Sequence, residues 1–239
     1  MIRQIVLAGM LLGGSMVFGQ EIIAHWDFTK GKIDSVDGKF KMRCRGNTRI
    51  AGPEGEQYLD VGITSKDTPE GIISVKKYPE LTPQGAFRLE IKARLREPTS
   101  KKTYMMLWDN NRTISIYGPH KTNPNSKKGL AVYLIRGKEG KIYPQAGFGF
   151  EKTLDNAYGM PMEIEENKDF TFTIEYDGIK KVSFFLNGKL NRNALLKNGG
   201  SLVEAVNPLV IGDRNISGYC RFDGQILEVK LTALPSPAK

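Results

Sequence analysis

The chain has 239 residues, 40% of them hydrophobic, and its 35 Lys and Arg against 26 Asp and Glu give a formal net charge of +9. Such a length can bury a two-sheet core without metal or disulfide staples, and two Cys with two distant His make a zinc site implausible. The basic balance admits polyanionic partners, whether nucleic acid, anionic lipid or acidic polysaccharide.

In chain order, the first segment reads as a processing signal. Met1-Ile2-Arg3 supplies a positive start, Ile5 to Phe18 an apolar stretch, and Val17 and Gly19 the tolerated residues at a cleavage point. The expectation is a signal peptide over residues 1–19, with an uncleaved N-terminal anchor as the alternative, and a secreted or periplasmic product. That segment carries one Arg and no acid, so the remainder keeps +8 of the charge. Export argues against nucleic acid as the partner, and no later stretch is apolar enough to span a bilayer. Lysine pairs such as Lys76-Lys77 and Lys180-Lys181 are scattered in the manner of solvated loops.

From residue 20 on, short segments alternate apolar and polar residues between Gly, Pro, Asn and Asp clusters, the pattern of an all-β sandwich. Strands are predicted at 22–28, 39–43, 57–61, 71–75, 86–96, 103–108, 113–117, 129–135, 141–150, 170–176, 181–186, 208–212 and 219–231, with one helical turn at 202–206. In 86–96, Phe87, Leu89, Ile91, Ala93 and Leu95 face inward, while Arg88, Glu90, Lys92, Arg94 and Arg96 face out. Asp177-Gly178 and Asn187-Gly188 supply the positive φ that tight hairpins need. In the last strand, Cys220, Phe222 and Ile226 share one parity and Leu227, Val229 and Leu231 the other, which predicts a β-bulge near 224–227. The expected organisation is one domain over 20–234 and a frayed tail at 235–239. It is an all-β, two-sheet antiparallel jelly-roll sandwich.

Four stretches resemble laminin G-like jelly-roll domains of the concanavalin A-like lectin and glucanase superfamily. They are Ile23–Phe28 with Asp34–Gly38; Gln57–Val61 with Ala86–Ile91; Tyr176-Asp177-Gly178 with Phe185–Leu190; and Pro208–Gly212 with Phe222–Ile226. The resemblance implies the fold and says little about activity, because lectins, glycosidases, lyases and adhesion modules share it. Relatives often carry an acid after the last Ile, where Leu227 stands here, which puts a calcium ion relying on that carboxylate in doubt.

Candidate chemistry is sparse. The nearest approach to a glycosidase carboxylate cluster is Glu163-Ile164-Glu165-Glu166, which sits in a loop context. His25 and His120 lack the neighbours of a triad, and Gly147-Phe148-Gly149 lacks the helix of a phosphate loop. Oxygen ligands for a structural calcium could come from Asp27, Asp34, Asp37 and Asp223, or those residues simply build turns. A sugar platform could form from Trp108, Asp109, Asn110, Arg112, Tyr117 and His120, with Arg88 and Glu90 on a concave sheet; the alternative makes Trp108 core and Asp109–Asn111 a turn. Cys44 and Cys220 are expected to pair, closing a loop worth up to ~5 kcal/mol, or else to remain buried thiols. The reading is an exported, non-catalytic, lectin-like domain for glycans, with the positive charge pointing to anionic ones. The alternatives are a structural or adhesion module that binds a cell-surface protein and, last, a hydrolase or lyase with an unfamiliar site.

Overall fold

A computed structural model describes residues 20–61, 68–96, 104–111, 128–137, 140–151, 153–215 and 220–235. Among these residues fifteen strands form: β1 Glu21–Asp27, β2 Met42–Cys44, β3 Arg49–Ala51, β4 Tyr58–Asp60, β5 Ile72–Ser74, β6 Phe87–Leu95, β7 Tyr104–Asp109 and β8 Gly129–Arg136. They continue with β9 Ile142–Gly149, β10 Leu154–Tyr158, β11 Asp169–Tyr176, β12 Lys181–Leu186, β13 Lys189–Leu195, β14 Val210–Ile211 and β15 Gly224–Ala233. Eight make one sheet in the order β13-β12-β11-β6-β15-β4-β3, with β1 also on β15; seven make the other, β10-β9-β8-β7-β14-β5-β2. All ladders are antiparallel, as expected for a two-sheet sandwich. Of the elements predicted from sequence, 113–117 lies outside the described residues, and 202–206 is irregular rather than helical. The short strands β3, β10 and β13 were not anticipated, because their polar, weakly alternating sequences carry little period-2 signal.

Alternation does place the core. In β6 the inward set is wholly buried and the outward set half-exposed. The two sheets close over Trp26, Phe28, Phe87, Trp108, Phe148, Phe172, Tyr176, Phe184 and Phe222. Trp26 and Trp108 meet edge-to-face at 6.1 Å, and Tyr176 lies between Phe87 and Phe148 at 5.8 and 5.3 Å. The Tyr-Asp-Gly motif is structural. Tyr176 Oη donates its one proton between the Gly200 and Ile179 carbonyls at 2.7 and 2.9 Å, burial pushes its pKa up to about 12, and Asp177 Oδ1 accepts the N–H groups of Ile179, Lys180 and Lys181. At the Asn187-Gly188 hairpin both residues adopt positive φ, 50° and 75°.

The bulge predicted in the last strand is present. The register of β15 against β6 shifts between Ile226 and Glu228, so that Val229 and Leu231 join Phe222 and Ile226 in the core.

The expected disulfide is not. Both cysteines are free thiols, Cys44 exposed and Cys220 buried. Cys44 lies in β2, an edge strand, while Arg221, next to Cys220, bridges Met106 of β7; β5 and β14 intervene between β2 and β7. At ~4.8 Å per strand that separation exceeds the ~7 Å limit on Cα atoms for a disulfide.

Candidate functional site

The outer faces of the two sheets differ in chemistry. On the eight-stranded sheet, outward positions form charged cross-strand rows. Arg88 pairs with Glu175, Arg94 and Lys92 with Asp169, and His25 with Glu228 across strands, while Lys230 lies 3.8 Å from Glu228 along β15 itself. The sequence candidates Arg88 and Glu90 belong to this ladder; the Arg88 guanidinium is held on Glu175 at 2.6 Å. Half-exposed pairs of this kind contribute little stability and describe a solvated face.

Over β7 to β10 of the seven-stranded sheet the outward positions are aromatic, apolar and amide. One row runs Tyr143 of β9, Ile135 of β8, Tyr104 of β7, and the next runs Tyr158 of β10, Gln145 of β9, Tyr133 of β8, Met106 of β7. Tyr133, Met106, Ala131 and Cys220 form a small apolar cluster separate from the main core, with Tyr104 and Ile135 packed on it. The Tyr104 and Tyr133 rings lie 6.3 Å apart. Burial and nearby phenols push the Tyr133 hydroxyl upward, and burial raises the Cys220 thiol to about 11, so neither ionises near neutrality. Above this base Tyr158 is 51% exposed, Asn156 is exposed, and Tyr104, Ile135 and Tyr143 are half-exposed. The Gln145 amide is buried beneath them and donates to Asn156 Oδ1 at 3.5 Å. The strip crosses four strands, ~14 Å from β7 to β10. Its six residues, Tyr104, Ile135, Tyr143, Gln145, Asn156 and Tyr158, carry no formal charge.

Sequence reasoning missed this strip. The signal was available, since outward positions of 129–135 and 141–150 hold Ala131, Tyr133, Ile135, Tyr143 and Gln145 where a solvated face would hold charges.

The predicted platform is corrected. Trp108 is wholly buried against Trp26, so it offers no face to a ligand. A register shift between Met106 and Trp108 turns the indole inward. Asn110 Nδ2 donates to the Leu81 carbonyl and its Oδ1 accepts the Leu130 N–H. Asp109 Oδ1 and Oδ2 accept the N–H groups of Asn111 and Asn215. Burial raises Asp109 to about 7 against those two bonds and the Arg214 charge. Asn110 thus ties the end of β7 to β8 and Leu81, and Asp109 ties it to the segment after β14. Arg112, Tyr117 and His120 lie outside the described residues.

A buried ionic group sits beside them. Arg45 donates to the carbonyls of Glu70, Asn215 and Arg214 and reaches Asp213 Oδ2 at 3.5 Å. Asp213 Oδ2 accepts the Glu70 N–H, and Glu70 Oε2 accepts Asn47 N–H and Thr48 Oγ. These contacts tie together three chain segments, 45–48, Glu70 and 213–215.

The aspartates considered for calcium are engaged separately. Asp27 caps the turn at Thr29, Asp34 accepts Met42 N–H and Lys41, Asp37 accepts Ser35 Oγ and Lys39 N–H, and Asp223 faces Arg96. Among the described residues no group of three or more His, Cys, Asp or Glu is placed to hold a metal ion. Glu163, Glu165 and Glu166 are exposed loop residues, with Glu165 on Lys168 and Glu166 on Arg136. Among the described residues no helix is long and apolar enough to cross a membrane.

No protein-family model matches the chain, and no curated protein does. Solved structures do. Domain 4 of AbnA, a GH43 extracellular arabinanase from Geobacillus stearothermophilus, in complex with arabinotriose, is similar over 90% of this chain and 93% of its own, at TM-score 0.57 and 14% identity. A botulinum neurotoxin type C structure, whose cell entry is described as dependent on two ganglioside molecules, is similar over 89% of this chain and 48% of its own, at 0.62 and 11%. The binding domain of botulinum neurotoxin DC in complex with rat synaptotagmin II matches over 89% and 46%, at 0.57 and 12%. The chain thus spans about half the length of the toxin structures and nearly all of the arabinanase domain. At these identities the likeness is one of fold, and it places the chain among two-sheet antiparallel β-sandwiches of the jelly-roll type.

Proposed function

We propose that this protein is an exported, laminin G-like, glycan-binding module that acts without covalent chemistry. The carrying observation is the uncharged strip Tyr104, Ile135, Tyr143, Gln145, Asn156 and Tyr158 on the outer face of the seven-stranded sheet. A sugar has an apolar face and a hydroxyl rim. Tyrosine rings receive the first, and amides and phenol hydroxyls the second. The buried cluster beneath fixes Tyr133 and Met106, so the strip is preorganised and little ordering entropy opposes binding. The arabinotriose and gangliosides named for the structural neighbours support a glycan over other ligands. The synaptotagmin complex supports the rival reading, a protein-binding module.

The test is equilibrium binding of the protein to neutral and acidic polysaccharides, with calcium and with chelator, for wild type and Tyr158→Ala. Saturable binding weakened about tenfold by that change is the expected result. A chelator effect would revive the calcium expectation. Absence of binding to every glycan would transfer the case to the protein-binding reading.

A further inference from the structure

On the opposite face, β15 changes partner along its length. Gln225 and Ile226 pair with β4, whereas residues from Glu228 onward pair with β1. The change coincides with the bulge at Leu227, which has no partner in β6. An extra residue and a change of neighbour at one point leave a gap between β4 and β1. A pocket of about 420 Å³ lies here, its lining including the apolar Leu227 and Pro53 together with Tyr58, Thr29, Arg94 and Asp169.

Its Arg94 and Asp169 hold each other in place. Arg94 Nε and Nη2 donate to Asp169 Oδ1 at 2.9 and 2.6 Å, and Nη1 donates to Gln225 Oε1 at 3.0 Å. A guanidinium has five N–H donors, so two remain for a ligand. Asp169 Oδ2 lies 3.5 Å from Lys92 Nζ. Among the described residues Arg94 is thus the one cation of the pocket lining and is held on Asp169, and Glu56 also lines the pocket, so no cation is left over to draw an anionic ligand. The half-buried Tyr58 hydroxyl makes no hydrogen bond to a described residue, and its ring edge lies against Gly52. The volume falls in the lower range for small-molecule pockets, ~300–1,000 Å³.

We propose that this pocket is a second saccharide site that takes one neutral sugar unit, with its apolar face on Leu227, Pro53 and Tyr58 and its hydroxyls on Asp169, Arg94 and Tyr58. It is separate from the tyrosine strip and faces away from it. One molecule therefore engages two glycan chains, and attachment to a polymer gains from effective concentration rather than from a larger single site.

The experiment is a titration of the isotope-labelled protein with methyl glycosides of neutral hexoses and pentoses, read by NMR at Arg94 Nε–H and the Thr29 and Glu56 amides. Methyl glucuronide and glucosamine serve as charged controls. Saturable shifts at millimolar affinity are expected for a neutral glycoside. Tyr58→Ala and Asp169→Asn should each weaken them about tenfold, and Tyr158→Ala should leave them unchanged. Asp169 is a surface carboxylate, so its variant keeps the test valid if Tyr58→Ala does not fold. No shift at these positions with any neutral glycoside overturns the proposal, as do shifts that survive both variants or a preference for a charged control. Shifts abolished by Tyr158→Ala would assign the binding to the strip alone.

Discussion

Replacing Trp108 by Ala separates a core residue from a binding residue. The indole is wholly buried and packed edge-to-face on Trp26 at 6.1 Å. Truncating a buried Trp costs ~3–5 kcal/mol, of which the lost aromatic pair supplies about 0.5–1.5. Taking ~4 kcal/mol and a urea m-value of ~3 kcal/mol/M for a domain of this size, the midpoint should fall by ~1.3 M. In thermal melts the same loss is ~8–16 °C. Tyr158, half-exposed at the end of β10, should shift stability by no more than ~0.5 kcal/mol on truncation. The assay pairs urea denaturation with glycan binding on both variants at a temperature where each is folded. Trp108→Ala should lose stability and keep its affinity, and Tyr158→Ala the reverse. If Trp108→Ala abolishes binding with an unchanged midpoint, the ligand sits at the 108–111 turn and the reasoning from burial is wrong.

Thiol titration of the native protein should find one reactive thiol, Cys44, and a second, Cys220, only on unfolding. Finding none in the unfolded, unreduced protein would restore the disulfide. Asp109 has a folded pKa near 7, above its ordinary 3.8, so the folded state holds more protons than the unfolded between those values. Its contribution therefore falls as pH rises from ~4 to ~7. The stability difference between wild type and Asp109→Asn should decline across that window and stay flat above it, as read by denaturation at a series of pH values. Gly71 sits at φ +79°, and a Cβ there would lie 2.3 Å from the Ile211 carbonyl oxygen. Gly71→Ala should destabilise by at least ~2 kcal/mol, and a Tm within 2 °C of wild type (the ~1 kcal/mol scale for a domain of this size) would refute that strain.

The fold was legible because β6 and β11 announce themselves by strict alternation, and because Asp177-Gly178 and Asn187-Gly188 dictate their turns. The bulge at Leu227 could be read from a parity change alone. The site was not legible for two reasons. Composition makes Trp108 look like a platform, but a one-residue register shift in β7 decides which way an indole points, and no local pattern encodes that shift. The strip, in turn, is assembled from four strands contributing one or two residues each, so no continuous segment carries its signature. Tyr158 stands in a strand, Leu154–Tyr158, that single-sequence alternation does not detect.

The net charge of +9 invites an anionic ligand, yet Arg88, Lys92 and Arg94 on the eight-stranded sheet are each paired with a carboxylate of the next strand, and the strip has no charge. Attraction between an acidic polysaccharide and so dispersed a surface acts over a Debye length, ~10 Å at 0.1 M salt and ~3 Å at 1 M. Contacts between a sugar face and Tyr158 involve no counterion release and do not weaken in the same way. Two binding modes should therefore part in a salt series. Affinity for heparin, a densely sulfated probe, should fall steeply between 50 and 500 mM salt and be unchanged in Tyr158→Ala, as only a screened interaction of basic loops behaves (salt range ~10-fold, spanning Debye lengths of about 14 to 4 Å). Affinity for a neutral glycan should vary by less than about twofold over the same range and depend on Tyr158. Heparin binding that resists salt and disappears with Tyr158 would show the strip itself to be an anion site, and the absence of charge among its six residues would then have misled the assignment.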